Sequence, residues 1–125
     1  MALRKQDPPS LEVCEPQIKS SGGGKHHVYK VKGIDQQGVL EVFRRFRHFF
    51  VLREILFERF LGLYIPPIPQ KKSVGNKEGM FVEERCYFLD KFIREICQLP
   101  YLYESIEFQT FLRTPGDVEK ALGGF

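Results

Sequence analysis

Three short stretches of the sequence place cationic side chains beside aromatic or proline residues. They are Arg44-Arg45-Phe46-Arg47-His48-Phe49, Pro66-Pro67-Ile68-Pro69-Gln70-Lys71 and Phe81-Val82-Glu83-Glu84-Arg85. Arginine presents a planar fork of donors that suits bidentate binding of a phosphate. An aromatic ring can pack against the flat face of a ring-shaped ligand. Three separated cationic groups with an aromatic plate therefore favour a pocket for a phosphorylated ring.

Arg85 lies inside an apolar helical stripe. It follows Phe81 by four positions and precedes Phe88 and Leu89 by three and four, which places its Cβ on the buried side of a helix. Burying an unpaired cation is expensive, so Arg85 must be paired, reach solvent or line a ligand pocket. On spacing alone, an ion pair with a carboxylate such as Glu41 and a ligand pocket both remain open.

The other cations also have ordinary interpretations. Side chains alternate along a strand, so Arg44 and Arg45 point to opposite faces and at most one of them enters a given pocket. A surface strand often ends in two arginines, and Phe46 can simply belong to the core. Lys71 and Lys72, taken singly, are ordinary solvated lysines. Residue type alone does not decide between these interpretations.

The composition predicts one folded domain. The chain has 125 residues, with 12 Phe, 5 Tyr, no Trp and 28% charged residues, which suffices for one hydrophobic core but not two. The net charge of +3 and pI near 8.8 suit a partner with a few concentrated negative charges better than duplex DNA. No apolar run approaches the roughly 20 residues of a membrane-spanning helix, and the N-terminus has no signal-peptide core. Membrane contact is therefore expected to be peripheral.

The cysteines and histidines indicate no catalytic or metal chemistry. Cys14, Cys86 and Cys97 are odd in number and lack C-x-x-C spacing, which predicts free thiols in a reducing compartment, the last two buried. The three histidines are not spaced as metal ligands, and no serine or carboxylate pair has an evident catalytic partner. We therefore expect no metal, no cofactor and no enzymatic activity. Nucleic-acid binding is disfavoured because the aromatics fall at core periods instead of forming an exposed platform.

Apolar alternation predicts three strands in the first part of the chain. The strands cover residues 10–20, 26–34 and 39–46 and form an antiparallel meander. Pro16 indicates an edge strand or a bulge in the first of them. The glycine-rich segment between the first two strands is expected to be a hairpin tip.

Apolar steps of three and four predict helices in the remainder. A helix starts at Arg47 and ends near Gly62, with Phe50, Phe57 and Leu61 widening its buried face. A second long helix covers residues 81–98, with Phe88 on its apolar side, and a shorter one covers 103–112. The prolines at 66–69 exclude a helix and predict a stiff polyproline segment between the first two helices.

These elements predict an α+β fold class. A three-stranded antiparallel β-meander packs against a helical subdomain of three to four helices, with the polyproline segment between the first two long helices. Residues 1–9 are expected to be a flexible N-terminal segment, residues 10–113 the folded domain, and residues 114–125 a C-terminal tail of low order.

The three stretches, taken in order, resemble the motifs of the PX (phox homology) domain, the phosphoinositide-binding module of sorting nexins. The first is similar to Arg-Arg-Tyr/Phe-x-x-Phe and the second to Pro-Pro-x-Pro-x-Lys. The third, followed by Leu89 and Phe92, is similar to Phe-Ile/Val-Glu-Glu-Arg-x-x-x-Leu-x-x-Phe. The resemblance covers residues 10–113, nearly the whole chain.

The resemblance implies a role for four residues in binding phosphatidylinositol 3-phosphate. Arg45 would bind the 3-phosphate, and Phe46 would form the floor beneath the inositol ring. Lys71 would meet the 1-phosphate that joins the ring to the lipid. Arg85 would hydrogen-bond the 4- and 5-hydroxyls of the ring and leave little room for phosphates there.

The resemblance also implies a contact with the bilayer. In the family the loop after the proline segment enters the membrane, so Ile65, Val74 and Met80 are the insertion candidates. Lys72 and Arg44 are supporting basic residues, and the alternation of side chains favours a structural role for Arg44.

The implied function is membrane targeting on the cytosolic face of endosomes, in protein sorting and vesicle trafficking. Basic residues attract the anionic leaflet, the pocket selects the headgroup, and the loop inserts. The alternative is a protein-interaction module that presents Pro66 and Pro69 as a P-x-x-P ligand, with weak or no lipid binding. Protein partners can also add to lipid recognition.

Overall fold

The chain folds as three strands followed by helices. The structure, a computed structural model, describes residues 2–4, 6–21, 24–69 and 78–125, with the backbone alone at 21 and 78–81. The strands are β1 (Ser10–Ser21), β2 (Gly24–Asp35) and β3 (Gly38–Arg45). The helices in the described part are α1 (Phe46–Arg59), α2 (Glu78–Cys97), α3 (Pro100–Tyr103), α4 (Ile106–Arg113) and α5 (Val118–Leu122). The predicted α+β class is confirmed, with five helices in the described part where three to four were expected.

The sheet is an antiparallel meander in the order β1-β2-β3. Val31 of β2 pairs with Val13 of β1 on one side and with Val42 of β3 on the other. Val13 and Val31 are buried beneath the helices. The register of β1 shifts between Cys14 and Gln17, around a proline that has no amide hydrogen for the ladder. The predicted irregularity at this proline is confirmed.

Helix α1 buries a narrower stripe than its sequence predicted. Phe49, Leu52 and Leu56 are fully buried because α1 packs on the sheet and on α4 and α5 from one side. Phe57 is 53% exposed and Leu61 is 74% exposed. The prediction that these two widen the buried face is wrong, since no neighbouring element in the described part covers that side of the helix.

Helix α2 packs along β1 and closes the core. Leu89, Phe92, Ile93 and Ile96 are fully buried. The Asp90 carboxylate accepts a hydrogen bond from the Val13 amide at 2.8 Å, which ties β1 to the helix. Phe88 is largely exposed, so the prediction that it lies on the apolar side is wrong; the stripe that meets β1 runs through its neighbour Leu89.

The three cysteines are free thiols. Cys86 and Cys97 are buried, and burial raises the pKa of the Cys86 thiol to about 11 and that of Cys97 to about 12. Both therefore remain protonated and poorly nucleophilic near neutral pH. The prediction of buried free thiols at these two positions is confirmed.

The C-terminal residues belong to the core. Helix α5 places Val118 and Leu122 in the hydrophobic core, and the Asp117 side chain caps it by accepting from the Lys120 amide at 3.0 Å. The prediction of a tail of low order is wrong. Two apolar residues four positions apart reach the core because α5 folds back onto α1.

The single short helix predicted at residues 103–112 is two helices. Pro100 begins α3, where its missing amide hydrogen costs no hydrogen bond. Ser105 then interrupts the helical path, and its hydroxyl accepts from the Phe108 amide at 3.1 Å to cap α4.

The N-terminal segment lies against the turn between β2 and β3. The Leu3 amide donates to the Asp35 carbonyl at 3.0 Å, and the Gln36 side chain donates to the Asp7 carbonyl at 2.6 Å. The boundary at residue 10 stays a prediction. In the described part of the chain, no helix combines the length and apolar character needed to cross a bilayer.

Candidate functional site

A cavity of about 160 Å³ opens where the sheet meets the start of α1 and the middle of α2. Three arginines, two histidines and two aromatic residues line it: His26, His27, Tyr29, Arg45, Phe46, Arg47 and Arg85. None of these lining residues is acidic. Such surroundings favour an anionic ligand with a face that can stack on an aromatic ring.

The register of the sheet creates this opening. The pairing of β2 with β3 ends at Val28 and Arg45, where the chain leaves the sheet and enters α1. Strand β2 continues beyond that point, and His27 and His26 pair only with Ile18 and Lys19 of β1. The edge of β2 at the two histidines therefore borders the cavity instead of a third strand.

The two neighbouring arginines lie on opposite faces of β3. Arg45 is exposed and lines the cavity. Arg44 is buried and donates to the carbonyl oxygens of Phe111 at 2.7 Å, Thr114 at 2.9 Å and Phe43 at 2.8 Å. Burial lowers the pKa of Arg44 to about 10, so it remains a cation. Arg44 thus supports the site by fastening β3 to the end of α4, not by adding charge to the cavity.

Phe46 and Arg85 meet across the cavity wall. The guanidinium carbon of Arg85 lies 4.0 Å from the centroid of the Phe46 ring, a cation–π contact between α2 and the first residue of α1. Arg85 also interacts with the Tyr29 hydroxyl. Burial raises the pKa of Tyr29, and the charge and hydrogen bond of Arg85 oppose that rise. Two aromatic side chains therefore hold the guanidinium at the cavity.

His48 fixes the backbone from which Arg45 projects. The Arg45 amide donates to Nδ1 of His48 at 3.0 Å, as the third residue of a helix does in a capping box. Burial, together with the charges of Arg44 and Arg45, lowers the pKa of His48 to about 4. Since the imidazole is then neutral near pH 7, Nδ1 keeps the lone pair that accepts this bond.

Four lining residues, His26, His27, Tyr29 and Arg47, were not singled out by sequence reasoning. His26, His27 and Tyr29 fall within the predicted second strand, whose alternation does not show that its first residues extend beyond the third strand. Arg47 occupies an x position of the first motif. Its Nε forms an ion pair with the Glu119 carboxylate of α5 at 2.8 Å, which brings the last helix to the rim of the cavity.

The structure describes the side chain of only one of the predicted membrane-insertion residues, Ile65. Lys71, Lys72 and Val74 fall outside the described residues, as does the side chain of Met80. Ile65 is 6% exposed and belongs to the hydrophobic core. The prediction that Ile65 inserts into a membrane is therefore corrected: its apolar surface is already buried in the protein.

The proline segment packs against α1. Pro66 is buried, while Pro67 is exposed. Nε of Arg53 donates to the Pro66 carbonyl at 2.8 Å. A P-x-x-P ligand offers its prolines to aromatic grooves of the partner, and the buried ring of Pro66 is not placed for that role.

A family model described as PX domain matches residues 33–115 of the chain. The chain belongs to the PX domain family. It carries the family's strand–strand–strand–helix order on a fold whose cavity unites Arg45, Phe46 and Arg85. In the described part of this PX domain, no cluster of three or more His, Cys, Asp or Glu side chains is placed to hold a metal ion.

The relatives of this PX domain are sorting proteins. Vacuolar protein sorting-associated protein 5 of Saccharomyces cerevisiae is 38% identical over 107 residues, covering 82% of this chain and 16% of that protein. Sorting nexin 1 of Arabidopsis thaliana is 39% identical over 74 residues, covering 58% of this chain and 18% of that protein. The chain therefore spans less than a fifth of either relative. The X-ray structure of a designed CISK-PX domain superposes with a TM-score of 0.75 at 26% identity, covering 84% of this chain and 99% of that one.

Proposed function

We propose that this PX domain binds phosphatidylinositol 3-phosphate and so recruits the protein that contains it to the cytosolic face of endosomal membranes. The observation that carries the proposal is the convergence of Arg45, Phe46 and Arg85 on one cavity without an acidic side chain among its lining residues. These residues come from the end of β3, the start of α1 and the middle of α2. They occupy positions of the first and third motifs that the sequence shares with the family.

Each of the three residues has a distinct role. Arg45 binds the 3-phosphate, since a guanidinium fork matches the oxygens of a phosphate. Phe46 supplies the floor for the inositol ring. Arg85 donates to the 4- and 5-hydroxyls, and a guanidinium bonded to both hydroxyls leaves little space for a phosphate at those positions. A headgroup phosphorylated at position 3 alone therefore suits the cavity best.

Binding to a membrane adds contributions beyond the cavity. We expect Lys71 to meet the 1-phosphate, Lys72 to add attraction to the anionic leaflet, and Val74 and Met80 to enter the bilayer. Each basic residue near an anionic surface contributes about 1 kcal/mol. The trafficking role is supported by relatives that are named for sorting.

The proposal is tested by co-sedimentation with vesicles. Phosphatidylcholine vesicles that each contain one mono- or poly-phosphorylated inositide are mixed with the wild type, with Arg45→Ala and with Arg94→Ala. Arg94 is an exposed arginine of α2 paired with Asp90 and absent from the cavity lining, so its variant matches the change in net charge.

We expect the wild type and Arg94→Ala to pellet selectively with phosphatidylinositol 3-phosphate and Arg45→Ala to remain in solution while folded. If both variants lose vesicle binding equally, the binding reflects general attraction between basic residues and anionic lipid, not recognition of the headgroup by the cavity. Absence of pelleting by the wild type would overturn the proposal and turn attention to protein partners.

A further inference from the structure

Arg47 lines the cavity, but the motifs shared with the family assign it no role. It is the second residue of α1 and lies beside Arg45 and Phe46 in the cavity wall. Its side chain is 51% exposed, so a ligand in the cavity can reach it. The motif that names Arg45 and Phe46 leaves position 47 unspecified.

A single ion pair holds Arg47 at this rim. Nε of Arg47 lies 2.8 Å from Oε2 of Glu119, within the distance of an ion pair. Nε is the inner nitrogen of the guanidinium, so this contact restrains the side chain without engaging the two terminal nitrogens. A long side chain that is already held in place loses less conformational entropy when it binds a phosphate.

Glu119 is held by a well-anchored helix. Val118 and Leu122, on either side of it in α5, are buried in the core, and Asp117 caps the helix. Glu119 is not among the residues that line the cavity, so its carboxylate meets Arg47 from outside the ligand space. Helix α5 also lies beyond residues 33–115, the part of the chain that matches the family model. The contact therefore joins a residue inside the matched part to one outside it.

Folding stability alone does not account for this pair. Both side chains are substantially exposed, and exposed ion pairs contribute little to stability because solvent screens them and ordering them loses entropy. The same pair has a clear use at a phosphate site, where a cation in fixed geometry binds better than a mobile one.

We propose that Arg47 is a further phosphate-binding residue of the cavity and that Glu119 is its positioning residue, which makes α5 part of the binding unit. This inference rests on the proposed function, because it deepens the description of the same cavity. The ligand class is the phosphorylated inositol headgroup, and Arg47 adds a second guanidinium to the one that Arg45 supplies.

The test exchanges the charges of Arg47 and Glu119 to distinguish direct phosphate binding by Arg47 from a purely structural role of the ion pair. Arg47→Ala, Glu119→Gln and the doubly substituted Arg47→Glu/Glu119→Arg are compared with the wild type. Affinity is measured on phosphatidylcholine vesicles with phosphatidylinositol 3-phosphate and on vesicles with phosphatidylserine at equal surface charge. Thermal unfolding confirms that each variant is folded at the temperature of the binding measurement.

We expect Arg47→Ala to weaken inositide binding about three- to tenfold, in the range of one charge-assisted hydrogen bond at a partly exposed site. Glu119→Gln should weaken it about twofold, because the guanidinium remains but is no longer held by a charged partner. The charge exchange restores an ion pair yet leaves a carboxylate at the rim, so its affinity should stay at or below that of Arg47→Ala. Binding to phosphatidylserine should change far less than binding to the inositide.

Three results would overturn the inference. Recovery of wild-type affinity in the charge exchange would show that the pair is only a scaffold. Tighter binding by Glu119→Gln would show that Glu119 competes with the ligand instead of positioning Arg47. If the wild type binds the inositide and Arg47→Ala binds it with the same affinity, Arg47 is not a phosphate-binding residue, while the proposed function still holds. Failure of the wild type itself to bind the inositide would overturn the proposed function and this inference together.

Discussion

The guanidinium of Arg85 covers the ring of Phe46. The guanidinium carbon is 4.0 Å from the ring centroid, and Phe46 as a whole is only 9% exposed. Arg85 therefore occupies part of the aromatic face that the proposed function assigns to the inositol ring. Binding on that face requires Arg85 to move toward the edge of the ring. The cation–π contact is worth about 0.5–2 kcal/mol, which hydrogen bonds from Arg85 to the ring hydroxyls can replace.

The first prediction concerns this exchange of partners. Arg85→Ala uncovers Phe46 but removes the donors for the hydroxyls, so we expect affinity for phosphatidylinositol 3-phosphate to fall at least about tenfold, corresponding to one or more hydrogen bonds from a charged donor. Calorimetric titration with a soluble short-chain lipid measures the change.

Lys91→Ala is the matched control for Arg85→Ala. Lys91 lies on the same helix, over the ring of Tyr87 at 5.7 Å, and away from the cavity. Its loss removes a cation–π contact and one charge but should leave the affinity unchanged. Tighter binding by Arg85→Ala would contradict the prediction, since Arg85 would then act only as a cover.

The second prediction separates the two neighbouring arginines. Arg44→Ala removes three hydrogen bonds to backbone carbonyls, one of them buried and two part-buried, so the free energy of unfolding should fall by about 3 kcal/mol. Arg45→Ala should change stability by less than about 0.5 kcal/mol, because the side chain is exposed, yet it should abolish inositide binding. Urea unfolding followed by circular dichroism measures the stability of both variants, and equal destabilisation would contradict the prediction.

The third prediction is a loss of stability in acid that depends on Asp35. This carboxylate is fully buried and accepts from the Gln37 amide at 2.8 Å, from the Tyr103 hydroxyl at 2.7 Å and from Arg113. Burial alone would raise the pKa of Asp35, but the hydrogen bonds from Tyr103 and Arg113 outweigh it and hold the pKa below its ordinary value of 3.8. The unfolded chain therefore binds this proton first as the pH falls.

The sign of the effect follows from that order. The contribution of Asp35 is complete above the ordinary value of 3.8 and is lost as the pH falls through the lower folded-state value. Asp35→Asn should reduce stability near pH 7 by about 2–4 kcal/mol, because it breaks a buried charged network. It should also flatten the decline of stability in acid. Urea unfolding at a series of pH values tests both, and an acid slope equal to that of the wild type would contradict the assignment.

The fourth prediction concerns Gly33, where the backbone of β1 leaves no room for a side chain on β2. Gly33 has a φ of +152°, and a Cβ at this position would lie 2.0 Å from the Ser10 carbonyl oxygen and 2.8 Å from the Leu11 Cα. Both neighbours are backbone atoms, so a side chain at position 33 can fit only if β1 moves. We therefore expect Gly33→Ala to lower the free energy of unfolding by about 2–4 kcal/mol.

Gly24→Ala is the control for this substitution. Among the described residues, no atom outside Gly24 and its chain neighbours lies within 4 Å of a Cβ added there, so the melting temperature of Gly24→Ala should stay close to that of the wild type. A Gly33→Ala protein as stable as Gly24→Ala would show that the two strands are less tightly packed than the structure indicates.

Periodicity predicted the elements well and their exposed faces less well. The alternation in β3 correctly separates Arg44 from Arg45, because a strand has a fixed period of two. The helical period cannot give the width of a buried face, since that width depends on how much of the helix its neighbours cover. Phe57 and Phe88 were for this reason assigned to the core and are exposed. The final helix was missed because Pro115 and Gly116 suggested a tail, whereas packing on α1 buries Leu122.

The sequence by itself determined the order of the three strands and the two long helices and the motif positions of Arg45, Phe46 and Arg85. Local spacing is sufficient for this, because strand and helix periods act over a few residues. Only the tertiary structure decided that Arg85 stacks on Phe46 and that Glu119 reaches Arg47. Each of these contacts joins residues far apart in the chain, and their meeting depends on how the helices pack against the sheet.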